Sequence, residues 1–271
     1  MDRACSDDGP DRLPAVGHGP GRGDDVGGGE DVRGRLVRRG GSKLYPAALL
    51  PASFAAAPRR LRLAAGAALP TLLGVLPFIR YPRSFFSNVV GFHLERGIEV
   101  ESTWGSLLVF AKHFGSLNVT SPLAPLLEVV ATIAAAAVVA AGTLLALRVR
   151  DLDRSRGLVE LLFATSLLLL AVGSVLSAQF VLWPIALGAA AVCWRKSSVR
   201  VPALLLAPIA ILTQLVFPFH FRGLAEDSTI SLVILVGRNL LLVATGIMAL
   251  MAARSTTLSA RDGRLETGLR E

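Results

Sequence analysis

Cysteine is nearly absent from this sequence, with two in 271 residues, Cys5 and Cys193. That count excludes a disulfide framework, and neither residue has the neighbours of a metal-binding spacing. Lysine is scarce beside arginine, three against 25. The glycine-rich run GHGPGRG at 17–23 accordingly lacks the Lys-Ser/Thr that a phosphate-binding loop requires, and nothing strand-like precedes it. Charge is thin overall, at 18% of residues. No Ser/His/Asp or Cys/His grouping for nucleophilic catalysis is present. The first residues mix acidic with basic side chains and no apolar core follows them, so a signal peptide is not expected.

What the sequence has in quantity is apolar surface. Hydrophobic residues make up 52% of the chain and the mean hydropathy is +0.57, values that point to a membrane protein. The net charge of +8 does not point to nucleic acid, because the basic residues cluster in short gaps between apolar segments instead of forming a face. Residues 1–42 stand apart. Eleven of the first 41 are glycine and the charges have no period. Such a tail cannot bury a core and is expected to be disordered.

From Lys43 onward the expected fold is all-α and polytopic, with about six or seven transmembrane helices between 43 and 253. YPAALLPASFAAAP at 45–58 is short and carries three prolines, which fits a short span or a re-entrant piece. Further spans are expected at about 63–79, 125–147, 158–175, 178–194, 201–218 and 229–252. Pro184 is expected to interrupt the helix over 178–194. The gaps 59–62, 148–156 and 195–200 and the tail 254–271 are rich in arginine. The alternate gaps, 80–124 and 219–228, are poorer in basic residues and richer in Glu, His and aromatics. The positive-inside bias therefore predicts a multi-pass cell-membrane protein with the loop 80–124 outside and the carboxy terminus in the cytoplasm.

The loop 80–124 holds the densest polar cluster, FHLERGIEVES at 92–102. Aromatics precede it, and Ser102 or Thr103 is placed to cap a helix over WGSLLVFAKHFG, which is too short to cross a bilayer. Short interfacial helices are expected on both sides of the cluster. Two readings stay open. In one, Glu95 and Glu99 share a solvated helix face and Arg96 is hydrated. In the other the cluster binds a lipid headgroup, with the Arg96 fork on a phosphate and carboxylates on sugar hydroxyls. His93 and Glu95 are ligand types that could also bind a divalent metal, but their spacing is unspecific, and no other cofactor is indicated. Arg238, with Asn239, lies inside an apolar span, where a charge needs a partner or a wet cavity. Gln179 and Trp183 lie near the outer end of the 178–194 span.

Four stretches together resemble glycosyltransferase family 87, the bacterial GT-C type. KLYPAALLP at 43–51 resembles its K-x-Y-P-x-x-x-L-P run. FHLERGIEVES resembles its R-G-x-x-x-E-S stretch, and VGRNLLLV at 236–243 its late R-N-x-x-L helix. VLSAQFVLWPIAL at 175–187 resembles its S-P-Q-(Y/F)-x-x-W motif, with Ala178 in place of the proline. The resemblance spans about 43–252 and corresponds to the carboxy-terminal half of the family. It implies a GT-C-like membrane fold and a glycosyltransferase, typically a mannosyltransferase. Such an enzyme moves a sugar with inversion from a polyprenyl-phosphate donor to a glycolipid or glycan acceptor at the outer membrane face. It implies Lys43, His93, Arg96, Glu101, Gln179, Trp183, Arg238 and Asn239 as substrate-binding candidates. The family's general base belongs to its amino-terminal half, so Glu95, Glu99 and Glu101 are the carboxylates here that are candidates for that role. A chain of this extent is expected to be a partial enzyme. The rival reading is a transporter or flippase of lipid-linked glycans, for which no internal repeat is visible.

Overall fold

The structure, a computed structural model, describes residues 47–57, 59–86, 97–108, 118–149, 154–226 and 228–268. Among them every regular element is helical, and the one β-type contact is an isolated antiparallel bridge between Glu99 and Asn118. The helices are α1 (Leu50–Ala56), α2 (Arg60–Val75), α3 (Pro82–Phe85), α4 (Thr103–Leu108), α5 (Ala124–Val149), α6 (Arg154–Val172), α7 (Leu182–Val192), α8 (Arg200–Leu204), α9 (Leu206–Gln214), α10 (Phe221–Ala225) and α11 (Thr229–Gly268).

Three stretches are long and apolar enough to cross a membrane: Ala124–Arg148, Arg200–Phe219 and Thr229–Ser255. They mark the chain as a membrane protein. Much of their apolar surface is not used inside the protein. Leu126, Ile133 and Leu144 of α5 and Ile230, Val233 and Leu240 of α11 are exposed, which in water would be a severe liability and in lipid is the ordinary condition.

The helix α6 lies at the centre, packed against α11, α5 and α7. Its buried residues run round its circumference: Leu161, Phe163, Ala164, Leu167 and Leu170 on one half and Thr165, Ser166 and Leu169 on the other are all essentially inaccessible. This is the pattern of a helix with protein on most sides. Small residues let the helices approach it. A methyl at Gly188 of α7 would meet the Phe163 ring at 3.0 Å, and one at Gly246 of α11 would meet Leu168 at 3.1 Å. The segment expected at 45–58 is only α1 with a preceding turn, packed on α5 and α6 through Ala52, Ala55 and Ala56 against Ala146 and Leu161. Ten residues of helix, Ala47–Ala56, reach about 15 Å, half of a hydrocarbon core.

Local sequence explains where the helices stop. The stretch expected as one span at 201–218 is divided into α8, α9 and an irregular end, Leu215–Phe219, in which Phe217 is extended (φ −130°, ψ 122°) ahead of Pro218. Pro184 behaves differently from the sequence expectation. It does not interrupt a helix, because a 3-10 turn over Ala178–Val181 comes first and α7 begins at Leu182. Pro184 thus falls in the first turn, where a missing N–H costs nothing. The region expected at 63–79 is α2 with a terminal 3-10 turn at Leu76–Phe78, and its Leu61, Leu69, Leu72 and Leu73 are exposed. After the last apolar stretch α11 continues in helix to Gly268, 40 residues in all.

Candidate functional site

The polar cluster met in the sequence is folded inward over Gly97–Ser102, and three separate elements hold it. An extended strip comes first. Val119 N–H donates to the Ile98 carbonyl at 2.9 Å, and Glu99 N–H donates to the Ser174 carbonyl, also at 2.9 Å. The Glu99 carboxylate accepts the Leu176 N–H at 3.0 Å through Oε2. Glu99 therefore pins the link between α6 and α7 by both its backbone and its side chain. Beneath the strip, Ile98, Val100, Leu108, Val119, Val216, Leu224 and Leu235 form an apolar cluster of their own.

The chain then turns into α4. Ser102 makes the turn. Its N–H and its hydroxyl both donate to the Glu99 carbonyl, at 3.0 Å and 2.7 Å, and its Oγ accepts the Gly105 N–H at 2.9 Å. Ser102 is the amino-terminal cap of α4, one of the two capping residues the sequence offered. Glycine at 105 is compulsory for packing, because a Cβ there would run into the Glu99 carbonyl oxygen. Trp104 closes the other side: its indole N–H donates at 2.6 Å to the carbonyl of Val172, the last residue of α6.

The third element is α11. Arg238 is wholly buried, and Asn239 nearly so. The Arg238 Nη2 group donates to the Glu101 carbonyl. Its Nε donates to the Asn239 side-chain oxygen at 3.1 Å. Asn239 Nδ2 in turn donates to the carbonyls of Ser102, at 3.1 Å, and Glu101, at 3.4 Å. Arg238 and Asn239 thus read the two carbonyls that lead into α4. The sequence argument that an arginine inside an apolar span needs a partner is met by the 101–102 turn.

The electrostatics are left half-closed. Arg238 Nη1 lies 3.6 Å from Glu101 Oε2, close enough for charge attraction and too far for a hydrogen bond. Neither atom has a hydrogen-bond partner among the described residues, and neither does the buried Thr103 hydroxyl. The Glu101 carboxyl is pushed up to about 7, first by burial, then by the neighbouring Glu99, while Arg238 pulls in the opposite direction. A buried donor and acceptor facing each other without a hydrogen bond are a costly arrangement.

Of the residues singled out from sequence, Glu99, Glu101, Arg238 and Asn239 come together here. Gln179 and Trp183 are exposed, on the turn and helix that follow the Glu99-bound Leu176. Lys43, His93, Glu95 and Arg96 lie outside the described residues. Trp104 and Gly105 were passed over as building residues, although the spacing of Gly105 from the capping Ser102 was a usable signal for a tight turn. A third buried carboxylate, away from this cluster, was missed entirely. Glu160 of α6 bonds Arg156 Nε at 3.0 Å and both the N–H and hydroxyl of Ser198, at 3.0 Å and 2.8 Å. Among the described residues no three His, Cys, Asp or Glu side chains gather as a metal site. No protein-family model, curated protein or solved structure matches this chain.

Proposed function

We propose that this chain is the membrane-embedded part of a glycosyltransferase that takes a hexose, mannose in the first instance, from a polyprenyl-phosphate donor at the outer membrane face. The observation that carries this reading is the unbonded pair of Glu101 Oε2 and Arg238 Nη1, 3.6 Å apart and buried. The resemblance of residues 43–252 to family 87 gives the pair its chemical meaning.

In this reading the guanidinium of Arg238, with Arg96 and Lys43, stabilises the negative charge that builds on the departing polyprenyl phosphate. Glu101 receives the proton of the acceptor hydroxyl. The hydroxyl oxygen bonds to the anomeric carbon from the face opposite the phosphate, and the anomeric carbon–oxygen bond to phosphate breaks. The sugar leaves inverted on a glycolipid or glycan, and the polyprenyl phosphate leaves as an anion. A carboxyl titrating at about 7 is matched to this work, being substantially ionised at neutral pH yet still basic enough to hold the proton.

The test is binding of a radiolabelled polyprenyl-phosphate mannose to the purified protein in detergent. Arg96→Ala is expected to abolish binding with the fold retained, since a charge in a polar loop is not a core element. Glu101→Gln is expected to keep binding, because an amide still bonds at that position, and to lose sugar transfer by at least about a hundredfold, the range of a lost general base. Unchanged donor binding in Arg96→Ala, or unchanged transfer in Glu101→Gln, overturns the assignment.

A further inference from the structure

The opposite end of the helix bundle carries a feature that the donor site does not use. Packing gathers there the ends of six segments. The close of α1 packs on Ala146 near the end of α5 and on Leu161 near the start of α6. Glu160 near the start of α6 bonds Ser198 in the α7–α8 link. Val199 of that link and Ala253 near the end of the apolar part of α11 belong to one buried cluster, and α8 packs on α11.

Each of these segments brings basic side chains, and most are exposed. Arg59, Arg60 and Arg62 follow α1, and Arg148 closes α5. Arg195 and Lys196 stand in the α7–α8 link, Arg200 opens α8, and Arg254 follows Ala253. Among the described residues the acidic groups at this end are Glu160 and, further along α11, Asp262 and Glu266, and Glu160 is spent. It is fully buried, paired with Arg156 and hydrogen-bonded by Ser198. The same three-way contact anchors the link that carries Arg195 and Lys196, and Ser197 N–H closes the turn on the Trp194 carbonyl at 3.0 Å. The result is a predominantly basic rim around the end of an apolar bundle, presented from a fixed link.

We infer that this rim is a binding surface for the anionic headgroups of phospholipids in the leaflet it faces. Three properties select that partner. The rim sits where apolar helix surface gives way to charge, which is the level of headgroups. Arginine predominates, and its planar fork fits a phosphodiester through two parallel bonds. Juxtamembrane basic clusters gain free energy from anionic lipid with each added charge. The inference is independent of the glycosyl-transfer reading, because it uses none of the residues around Glu101 and Arg238.

The experiment follows the melting of the purified full chain in uncharged detergent while phosphatidylglycerol, phosphatidylcholine or inorganic phosphate is added. The wild type is expected to melt higher with phosphatidylglycerol and to be unmoved by the other two. The triple variant Arg195→Gln/Lys196→Gln/Arg200→Gln changes only exposed side chains and is expected to need at least about tenfold more phosphatidylglycerol for the same shift. A charge-keeping variant, Arg195→Lys/Arg200→Lys, is expected to retain most of the response. Equal shifts with phosphatidylcholine, a full response in the triple variant, or the same shift from inorganic phosphate each overturn the proposal.

Discussion

Glu101 carries most of the proposed chemistry, and its environment has a consequence for stability. Its carboxyl is raised to about 7 in the folded protein, chiefly by burial, against an ordinary value near 4.5 when unfolded. A raised acid favours folding while it is protonated. Its contribution is complete below about pH 4.5 and is lost as pH rises through about 7. The wild type is therefore expected to be more stable at pH 5 than at pH 8, by on the order of 3 kcal/mol. Glu101→Gln should flatten most of that slope in a pH series of thermal melts. A slope of the same size in the variant would assign the effect to another group. Two neighbours are tested by smaller changes. Ser102→Ala removes the cap of α4 and is expected to cost about 1 kcal/mol. Gly105→Ala forces a methyl against the Glu99 carbonyl and is expected to cost about 1–3 kcal/mol. Urea or thermal denaturation of the two variants would show whether their order is reversed.

At the scale of elements, the bundle's hydrophobic stretches were legible and their internal breaks were not. Runs such as 125–147 and 229–252 announce themselves because apolar content alone decides them, and they match α5 and the apolar part of α11 closely. The division of 200–219 into α8, α9 and an irregular end depends on how Pro202, Pro208 and Pro218 each fit the local packing, which no window of hydropathy carries. Pro184 was misplaced for a related reason: a proline ends a helix or begins one, and only the turn at Ala178–Val181 decides which. Half of the site was readable for a physical reason, since a buried arginine must be answered, and Arg238 is. Its partner was not readable, because backbone carbonyls at 101 and 102 leave no mark in sequence. The Glu160–Ser198 contact joins residues 38 positions apart and is equally invisible. The positive-inside bias of the sequence predicts sidedness. Cys193 is exposed at the basic end, and Leu107 is exposed on α4 at the other. In whole cells carrying the chain with Cys5→Ser, an impermeant thiol reagent is expected to miss Cys193 and to label Leu107→Cys. Labelling of Cys193 from outside would reverse the orientation.

Over the whole molecule, the two ends of the bundle are chemically unlike. One end folds carboxylates, an arginine and unbonded polar atoms inward, and the other turns arginines outward to its surroundings. This polarity suits a protein that meets a lipid phosphate inside one end and phospholipid headgroups around the other. Deletion of residues 2–42 is expected to leave membrane insertion and donor binding unchanged, and loss of stable protein on that deletion would give the segment a structural role. The most direct test of the central claim is photocrosslinking with a polyprenyl phosphate that carries a photoreactive group at its phosphate end, followed by mapping of the labelled peptides. The account predicts label within 97–108 and 229–248, competed away by unlabelled polyprenyl-phosphate mannose. Label confined to the exposed leucines of α2 and α5, and unaffected by the competitor, would show that the lipid only dissolves along the bundle and would contradict a donor site at Glu101 and Arg238.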